Sequence, residues 1–416
     1  MERYWKLISI VSVAVLTIGT FYIHSVIAAE DYPEFVITTK SGDEELINSL
    51  TLRGDYGEGS RNRFVGETLQ LSNEGTNYAS EASFVDRWIG VMYQNEELKR
   101  LQEDYRNFMR GKSDISAIYE DQDNVIYANA HATVVNSSDF SFDVATLDKN
   151  DNSTTSFELK VPDLKYGYVY VEDVQLVDEN IKIITRNYPK YQSGPNTEFH
   201  AYTIDVSEQK IVSDEVIMAV EENNNNRHSS INAVQQSNTT GSSNYIIFTK
   251  EVIEEAQHGD GTYTAEVIEN EVIVYNIETG EQEELELPVK ISGAVPENQR
   301  AAINGSTVYF NELNQEGLMI TGYSLESKEI ETKQTFDLEK KDNDRGMEQP
   351  LIKITEGKVF IVNRYKDLDT EATIVVAEIE SGETLFEGKI EMKYPTPDQS
   401  DYSLYFYDME IAGDHH

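Results

Sequence analysis

The chain has 416 residues and a formal net charge of −41, from 75 acidic and 34 basic side chains. A surface this acidic is repelled by phosphate backbones, which excludes nucleic acid as a binding partner. Cysteine is absent, which also excludes disulfides, thiolate metal sites and cysteine nucleophiles. Tyrosine is frequent, with 25 residues, and together with many Val, Ile and Thr side chains it favours strands over helices.

The first predicted element is an apolar segment, residues 7–28, which contains no Asp, Glu, Lys or Arg. As a helix it reaches about 33 Å, enough to span a hydrocarbon core of roughly 30 Å. Arg3 and Lys6 precede it, so the positive-inside rule predicts a single-pass membrane anchor (residues 1–29) with residues 30–416 outside the cell. A small-residue cleavage site at Val26–Ala28 leaves a second interpretation open, a signal peptide followed by a secreted domain.

A helix is predicted over residues 82–111, where apolar side chains from Phe84 to Phe108 recur at three- and four-residue steps and Gly111 follows. Its many basic side chains allow two interpretations. The helix packs its basic face on the acidic domain, or it docks a partner in the membrane. The docking residues would be Arg100, Arg106 and Arg110.

The rest of the chain repeats one pattern five times, a pair of period-two strands joined by a short polar turn. The last apolar residues before the five turns are Leu147, Ile204, Ile277, Leu325 and Ile379. A second pair of strand-like segments precedes each hairpin. Four antiparallel strands repeated at a period of about fifty residues are typical of a β-propeller.

Three segments near the N-terminus (residues 34–39, 45–54 and 67–73) and one at the C-terminus (401–411) remain outside these repeats. Together they would complete a sixth blade and leave neither edge open. We therefore predict an all-β fold, a β-propeller of six four-stranded blades, with seven blades if residues 51–111 hold another. A pair of β-sandwiches is the main rival fold.

No catalytic signature is present: the G-x-S-x-G, H-E-x-x-H and P-loop patterns are all missing. Residues 148–152 resemble the start of a calcium loop, but Ser153 stands where Gly is needed and Leu159 where the bidentate Glu should be. This segment is predicted to be a polar hairpin turn. The sequence predicts neither a metal nor a cofactor.

In a propeller the links between the second and third strands lie opposite the hairpin turns. In this chain those links concentrate aromatic and basic side chains, and loops held by a rigid scaffold commonly carry binding. The predicted binding residues are Tyr188, Lys190, Tyr191, His258, Asp260, Tyr263, Arg364, Tyr365 and Lys366.

In the layout of residues 33–411 the chain resembles exported bacterial β-propeller proteins of the quinoprotein-like or WD-repeat-like type, especially membrane-anchored ones of Bacillus-type, Gram-positive organisms. The Trp-Asp dipeptide and the blade-end Trp residues of those families are missing, so no functional residue is carried over. The predicted function is non-enzymatic binding or sensing outside the cell, with a membrane protein or envelope polymer as partner. An enzyme acting on polysaccharide at the propeller centre, and an accessory subunit of a transporter or signalling complex, stay open as alternatives.

Overall fold

The structure, a computed structural model, is built almost entirely of β-strands. From Tyr32 onward it describes residues 32–58, 67–82, 95–132, 139–162, 166–190, 197–220, 227–234, 240–257, 263–285, 301–314, 317–337, 350–366, 371–395 and 402–412. Across these ranges the strands form six antiparallel sheets of four or five strands, with one α-helix. No helix in them is long and apolar enough to cross a bilayer, and the predicted anchor, residues 7–28, lies outside them.

Four strands and the helix come first in the chain. They are β1 (Phe35–Gly42), β2 (Leu50–Glu58), β3 (Glu67–Ser72), β4 (Gly75–Tyr78) and α1 (Glu96–Asp104). The side chain of Asn95 caps the start of α1 by accepting hydrogen bonds from two backbone N–H groups of the first turn. The helix is shorter than predicted, because Tyr105 leaves the helical conformation (φ −122°, ψ 46°) well before Gly111. Residues 83–94 of the predicted helix lie outside the described ranges.

Sheets I to IV each consist of four strands that follow one another along the chain. Sheet I contains β5 (Ile118–Glu120), β6 (Asn124–Ala132), β7 (Phe140–Asp148) and β8 (Thr154–Lys160). Sheet II contains β9 (Tyr166–Val177), β10 (Asn180–Pro189), β11 (Glu198–Asp205) and β12 (Lys210–Ala219). Sheet III contains β13 (Arg227–Val234), β14 (Tyr245–Gln257), β15 (Tyr263–Asn276) and β16 (Gln282–Glu284). Sheet IV contains β17 (Ala301–Asn304), β18 (Thr307–Asn314), β19 (Gly317–Ser324) and β20 (Ile330–Phe336).

Sheets V and VI each have five strands. The first described strand, β1, lies in sheet V, and the last strand lies in sheet VI. Sheet V contains β21 (Leu351–Thr355), β22 (Lys358–Asn363), β24 (Thr373–Glu378), β25 (Thr384–Met392) and β1. Sheet VI contains β23 (Tyr365–Lys366), β26 (Tyr402–Ile411), β2, β3 and β4. Residues 51–111, which would hold a seventh sheet under the seven-blade alternative, supply strands to sheet VI and the helix, and their described part forms no further sheet.

Every sheet has two ends, which we call the turn end and the link end. Tight turns within hairpins lie at the turn end, where Gly280 (φ 76°) and Gly382 (φ 73°) adopt the left-handed backbone that glycine tolerates. The predicted polar turn at residues 148–152 is confirmed, with Asn152 at φ 59°. The link end carries the connections between second and third strands and those between sheets.

The C-terminal strand pairs with the N-terminal region as predicted, but one of the expected partners was wrong. Strand β26 pairs with β2, and β3 and β4 extend the same sheet. Strand β1 instead pairs with β25 at the outer edge of sheet V. Gly42 permits this close pairing, since a Cβ added there would lie 2.0 Å from the carbonyl oxygen of Leu385.

Five hydrophobic clusters join consecutive sheets. Each contains fully or nearly fully buried side chains from both sheets that it joins. Examples are Phe142 and Tyr202 (sheets I and II), Phe199 and Phe248 (II and III), Ile247 and Val308 (III and IV), Ile320 and Ile361 (IV and V), and Phe386 and Phe406 (V and VI). The cores therefore lie between the sheets.

Helix α1 joins sheet VI to sheet I. Its buried Leu98 and Leu101 belong to the cluster that contains the core residues of sheet I. On the other side, the Glu96 side chain accepts a hydrogen bond of 3.1 Å from Gln70 of β3, and its backbone N–H donates to Glu410 of β26 at 3.3 Å. Among the described residues, the helix therefore contacts both sheets, through apolar packing on sheet I and hydrogen bonds to sheet VI.

Arg53 of β2 is the buried cation of this region, with 7 % of its side chain exposed. Its guanidinium binds both carboxylate oxygens of Glu410 at 2.8 Å and donates to Asp408 at 2.6 Å. Because a buried charge is tolerated only when it is paired, this fork holds β2 and β26 in one register beside α1.

We expect Arg53→Met to lower the free energy of unfolding by about 3–5 kcal/mol, because it leaves Glu410 buried without its cation. Arg227→Met is the matched control: its ion pair with Glu254 is exposed (51 % and 44 %), and such pairs contribute at most about 1 kcal/mol. Chemical denaturation followed by circular dichroism measures both variants. Equal losses would contradict the role assigned to Arg53.

Candidate functional site

Two exposed tyrosines lie side by side on β9, the edge strand of sheet II, near its link end. Tyr168 and Tyr170 are 49 % and 48 % exposed, and their ring centroids lie 4.2 Å apart at an interplanar angle of 38°. Tyr188 of β10 pairs with Tyr168 and meets Tyr170 edge-on at 6.2 Å. We call these three residues the tyrosine patch.

The local sequence explains this exposure. Side chains alternate along β9, so Tyr168 and Tyr170 share one face of the sheet while Val169 and Val171 point into the core between sheets I and II. A bulge at Gly167 shifts the register beside Tyr188, and a Cβ at that glycine would lie 3.2 Å from the Cα of Lys190.

Charged side chains border the tyrosine patch. Arg186 of β10 forms a 2.7 Å ion pair with Glu172 of β9 and lies 5.1 Å over the ring of Phe199. Lys190 is exposed at the end of β10. A hydrogen bond with Tyr168 raises the pKa of Tyr170.

Asp173 lies further along β9 and has an unusual carboxyl group. Burial raises its pKa to about 6, and the nearby Glu172 acts in the same direction, against hydrogen bonds from Gln175 and the backbone of Val174. Gln175 itself is buried and donates to Asp173 at 3.1 Å. A carboxyl that titrates close to neutrality is uncommon outside functional sites.

A buried polar network lies behind the patch, between sheets I and II. His200 is 3 % exposed, with Nδ1 2.7 Å from Asp214, and Nε2 2.8 Å from the Tyr166 hydroxyl and 3.2 Å from Glu198. The Tyr166 hydroxyl donates to Glu198 at 2.8 Å, and burial raises the pKa of Tyr166, which keeps that proton in place. Tyr202 stacks on the imidazole at 5.5 Å. The network ties β9, β11 and β12 together beneath the patch.

The predicted binding residues do not all meet at one place. Tyr188 and Lys190 lie at the tyrosine patch. Arg364 lies at sheet VI, where its carbonyl accepts from Phe406 and its guanidinium lies 5.4 Å over the ring of Tyr405. Arg364 therefore belongs to sheet VI, whereas Tyr188 and Lys190 belong to sheet II.

The remaining predicted binding residues divide into two sets. Tyr263 begins β15, and Tyr365 and Lys366 form β23, which pairs with β26. Part of what the sequence predicted to be long links is therefore strand. Tyr191, His258 and Asp260 lie outside the described residues.

The three arginines predicted to dock a partner differ in their surroundings. Arg100 forms ion pairs with Glu97 (2.5 Å), Asp104 (3.2 Å) and Glu120, all within the chain. Arg106 and Arg110 follow α1, are exposed, and have no ion pair recorded with any described residue. Arg100 therefore braces the helix against sheet I, as expected for a helix packed on the domain.

Sequence reasoning missed Tyr168, Tyr170, Asp173 and His200. Alternation in residues 166–170 was a usable signal for the first two, because side chains two residues apart on a strand lie on the same face. Nothing in the sequence distinguishes Asp173 or His200 from other acids and histidines. Among the described residues no three His, Asp or Glu side chains are grouped so that they could hold a metal ion.

No family model and no curated protein sequence matches the chain. Polysaccharide lyase Uly1 aligns at TM-score 0.34 and 8 % identity, over 70 % of this chain and 57 % of that one. TolB from Acinetobacter baumannii aligns at a TM-score of 0.28 and 10 % identity, over 85 % of this chain and 79 % of TolB. A prolyl endopeptidase aligns at a TM-score of 0.28 and 10 % identity, over 85 % of this chain and 51 % of the peptidase. The chain therefore spans less than two thirds of the length of the lyase and of the peptidase. These TM-scores are too low to support the fold, which is assigned from the strand pairing described above.

We expect Asp173→Asn to raise the free energy of unfolding at pH 8 by about 1–3 kcal/mol and to leave it nearly unchanged at pH 4. The folded pKa of about 6 lies above the unfolded value of roughly 3.9. The stabilising effect of the protonated carboxyl is therefore complete below the unfolded pKa and is lost as the pH rises through the folded one. Denaturation of both proteins across this pH range measures the difference.

The matched control for Asp173 is Asp205→Asn. Backbone hydrogen bonding from Glu208 lowers the pKa of Asp205, so this variant should lose stability at pH 8 rather than gain it. A difference between Asp173→Asn and the original chain that does not vary with pH would contradict the raised pKa.

Proposed function

We propose that the six sheets are the blades of a six-bladed β-propeller. Five apolar clusters between consecutive sheets, and helix α1 between sheets VI and I, support a ring in which every sheet has two neighbours. The pairing of β26 with β2 supports closure of that ring, because it joins strands from opposite ends of the chain in one sheet.

The function we propose is non-enzymatic binding outside the cell. Residues 7–28 would anchor the chain in the cytoplasmic membrane, and the propeller would bind a membrane protein or an envelope polymer. The observation that carries this proposal is the tyrosine patch: Tyr168 and Tyr170 stay half exposed while Tyr166 on the same strand is fully buried. Rigid aromatic rings with a polar tip supply contact area at a small cost in conformational entropy, and they dominate many binding surfaces.

An enzyme acting on polysaccharide is the second candidate, and Asp173 is the observation that favours it. A carboxyl with a pKa of about 6 is suited to proton transfer near neutral pH. The buried His200 network supports the binding function instead, since both ring nitrogens are engaged and 3 % exposure leaves the imidazole closed to a polymer. If purified wall polysaccharide is cleaved by the original chain and not by Asp173→Asn, the enzyme replaces the binding domain as the proposed function.

The double variant Tyr168→Ala/Tyr170→Ala is expected to weaken binding to purified cell-wall polysaccharide by more than about tenfold, because an aromatic anchor commonly contributes 2 kcal/mol or more. Co-sedimentation with insoluble wall material measures the affinity. Tyr407→Ala is the matched control, because Tyr407 is an exposed tyrosine (37 %) that lies on β26 of sheet VI and belongs to neither the tyrosine patch nor any other proposed contact.

If the original chain does not sediment with wall material, the same variants are compared by crosslinking to membrane proteins in intact cells. Loss of a specific adduct in the double variant, with retention in Tyr407→Ala, supports a protein partner. Identical behaviour of all three chains in both assays would contradict a binding role for the tyrosine patch.

A further inference from the structure

Strand β1 enters sheet V at its link end. Phe35, the first residue of β1, pairs with Met392, the last residue of β25. At the same end β22 finishes at Asn363, which pairs with Thr373 at the start of β24. Tyr402, the first residue of β26, has its ring 5.3 Å from that of Phe35, so the link end of sheet VI lies alongside.

The residues before β1 are firmly packed. Tyr32 stacks on Tyr78 at 4.8 Å and meets Tyr56 edge-on at 6.1 Å. The Tyr78 hydroxyl donates to the carbonyl of Pro33 at 2.6 Å, and burial raises the pKa of Tyr78, which preserves this donor. These contacts fix Tyr32 and Pro33 against β2 and β4 of sheet VI, directly before β1.

The tether between this point and the apolar segment is very short. The segment ends at Ala28, and residues 29–31 are all that separate it from Tyr32. Four fully extended steps reach at most about 14 Å. Since the headgroup layer is roughly 5–7 Å deep on each side of the hydrocarbon core, the link ends of sheets V and VI must lie close to the lipid headgroups.

The side chains at this place suit a bilayer interface. Tyr394 is 71 % exposed, and the ammonium group of Lys393 lies 5.5 Å over its ring. Lys393 also forms a 2.7 Å ion pair with Glu34, and its backbone N–H donates to the Glu34 carbonyl at 2.8 Å. Tyrosine is enriched at membrane–water interfaces, where its ring is apolar and its hydroxyl is wet.

We propose that Glu34, Lys393 and Tyr394 form a membrane-contact edge, which lies on the outer surface of the bilayer that holds the apolar segment and inserts Tyr394 among the headgroups. This inference rests on the tether in the proposed function. The net charge of −41 opposes an anionic surface, whereas the Glu34–Lys393 pair is locally neutral. The contact therefore depends on the tether, which holds position 394 at the headgroups, and not on charge.

The absence of cysteine from the chain makes a direct test available. Single-cysteine variants Tyr394→Cys and Ser381→Cys of the full-length protein are labelled with an environment-sensitive fluorophore and reconstituted in phosphatidylcholine vesicles. Ser381 is the matched control, because it is exposed and lies at the turn end of the same sheet, about 26 Å away along β25. We expect a blue-shifted emission at position 394 and several-fold stronger quenching there by headgroup-labelled lipids.

Two results would overturn the membrane-contact edge, and they are distinguishable. If the protein leaves the membrane fraction of its host with an N-terminus near residue 29, both the tether and the contact edge are wrong. If it stays in the membrane but the labels at positions 394 and 381 are quenched equally, the tether stands and the contact edge is wrong. Stronger quenching at position 394 that is unchanged by high salt supports the proposal, including its independence of charge.

Discussion

The contact between sheets VI and I is the constraint on which the rest of the structure depends. Neighbouring sheets elsewhere meet through apolar clusters, which tolerate small displacements because hydrophobic contact is not directional. Here α1 and the Arg53–Glu410 fork replace that cluster. A buried cation destabilises the fold unless its partners are in place, so the fork specifies one register of β2 and β26, and Glu410 of that fork accepts a hydrogen bond from the first residue of α1. The packing of the other sheets must be compatible with it.

Charge and aromatic side chains have separate roles in this molecule. Its acidity keeps polyanions away and maintains solubility, and it provides little of the chemistry by which a specific partner is recognised. In the function proposed above, uncharged tyrosines are the binding groups, and whether a tyrosine can bind depends on its position. Tyr166 and Tyr202 are buried in the network around His200, whereas Tyr168 and Tyr170 lie open on the neighbouring face. The rigid network below holds the exposed rings in one arrangement.

Local pattern predicted much of the fold. The residues chosen from the repeats, such as Leu147, Ile204 and Ile379, all lie at or beside the end of the third strand of a sheet. Period-two alternation and turn glycine are properties of a few adjacent residues, so they can be recognised without the partner strand. The pairing of β1 with β25 was not predictable in this way, because an edge strand joins whichever open edge the tertiary fold brings to it.

The order of the strands, the acidic surface and the apolar segment before them are properties of the amino-acid sequence, since each depends on composition or on neighbouring residues alone. Exposure, ion pairing and pKa are different, because they depend on neighbours from distant parts of the chain. The sequence gives no partner for Arg100, and only the fold brings Glu120 of sheet I beside it. The sequence does not distinguish Asp173 from other acidic residues, whereas burial in the fold raises its pKa to about 6. The candidate site is therefore defined by sheet packing, which alone determines which tyrosines are buried and which face solvent.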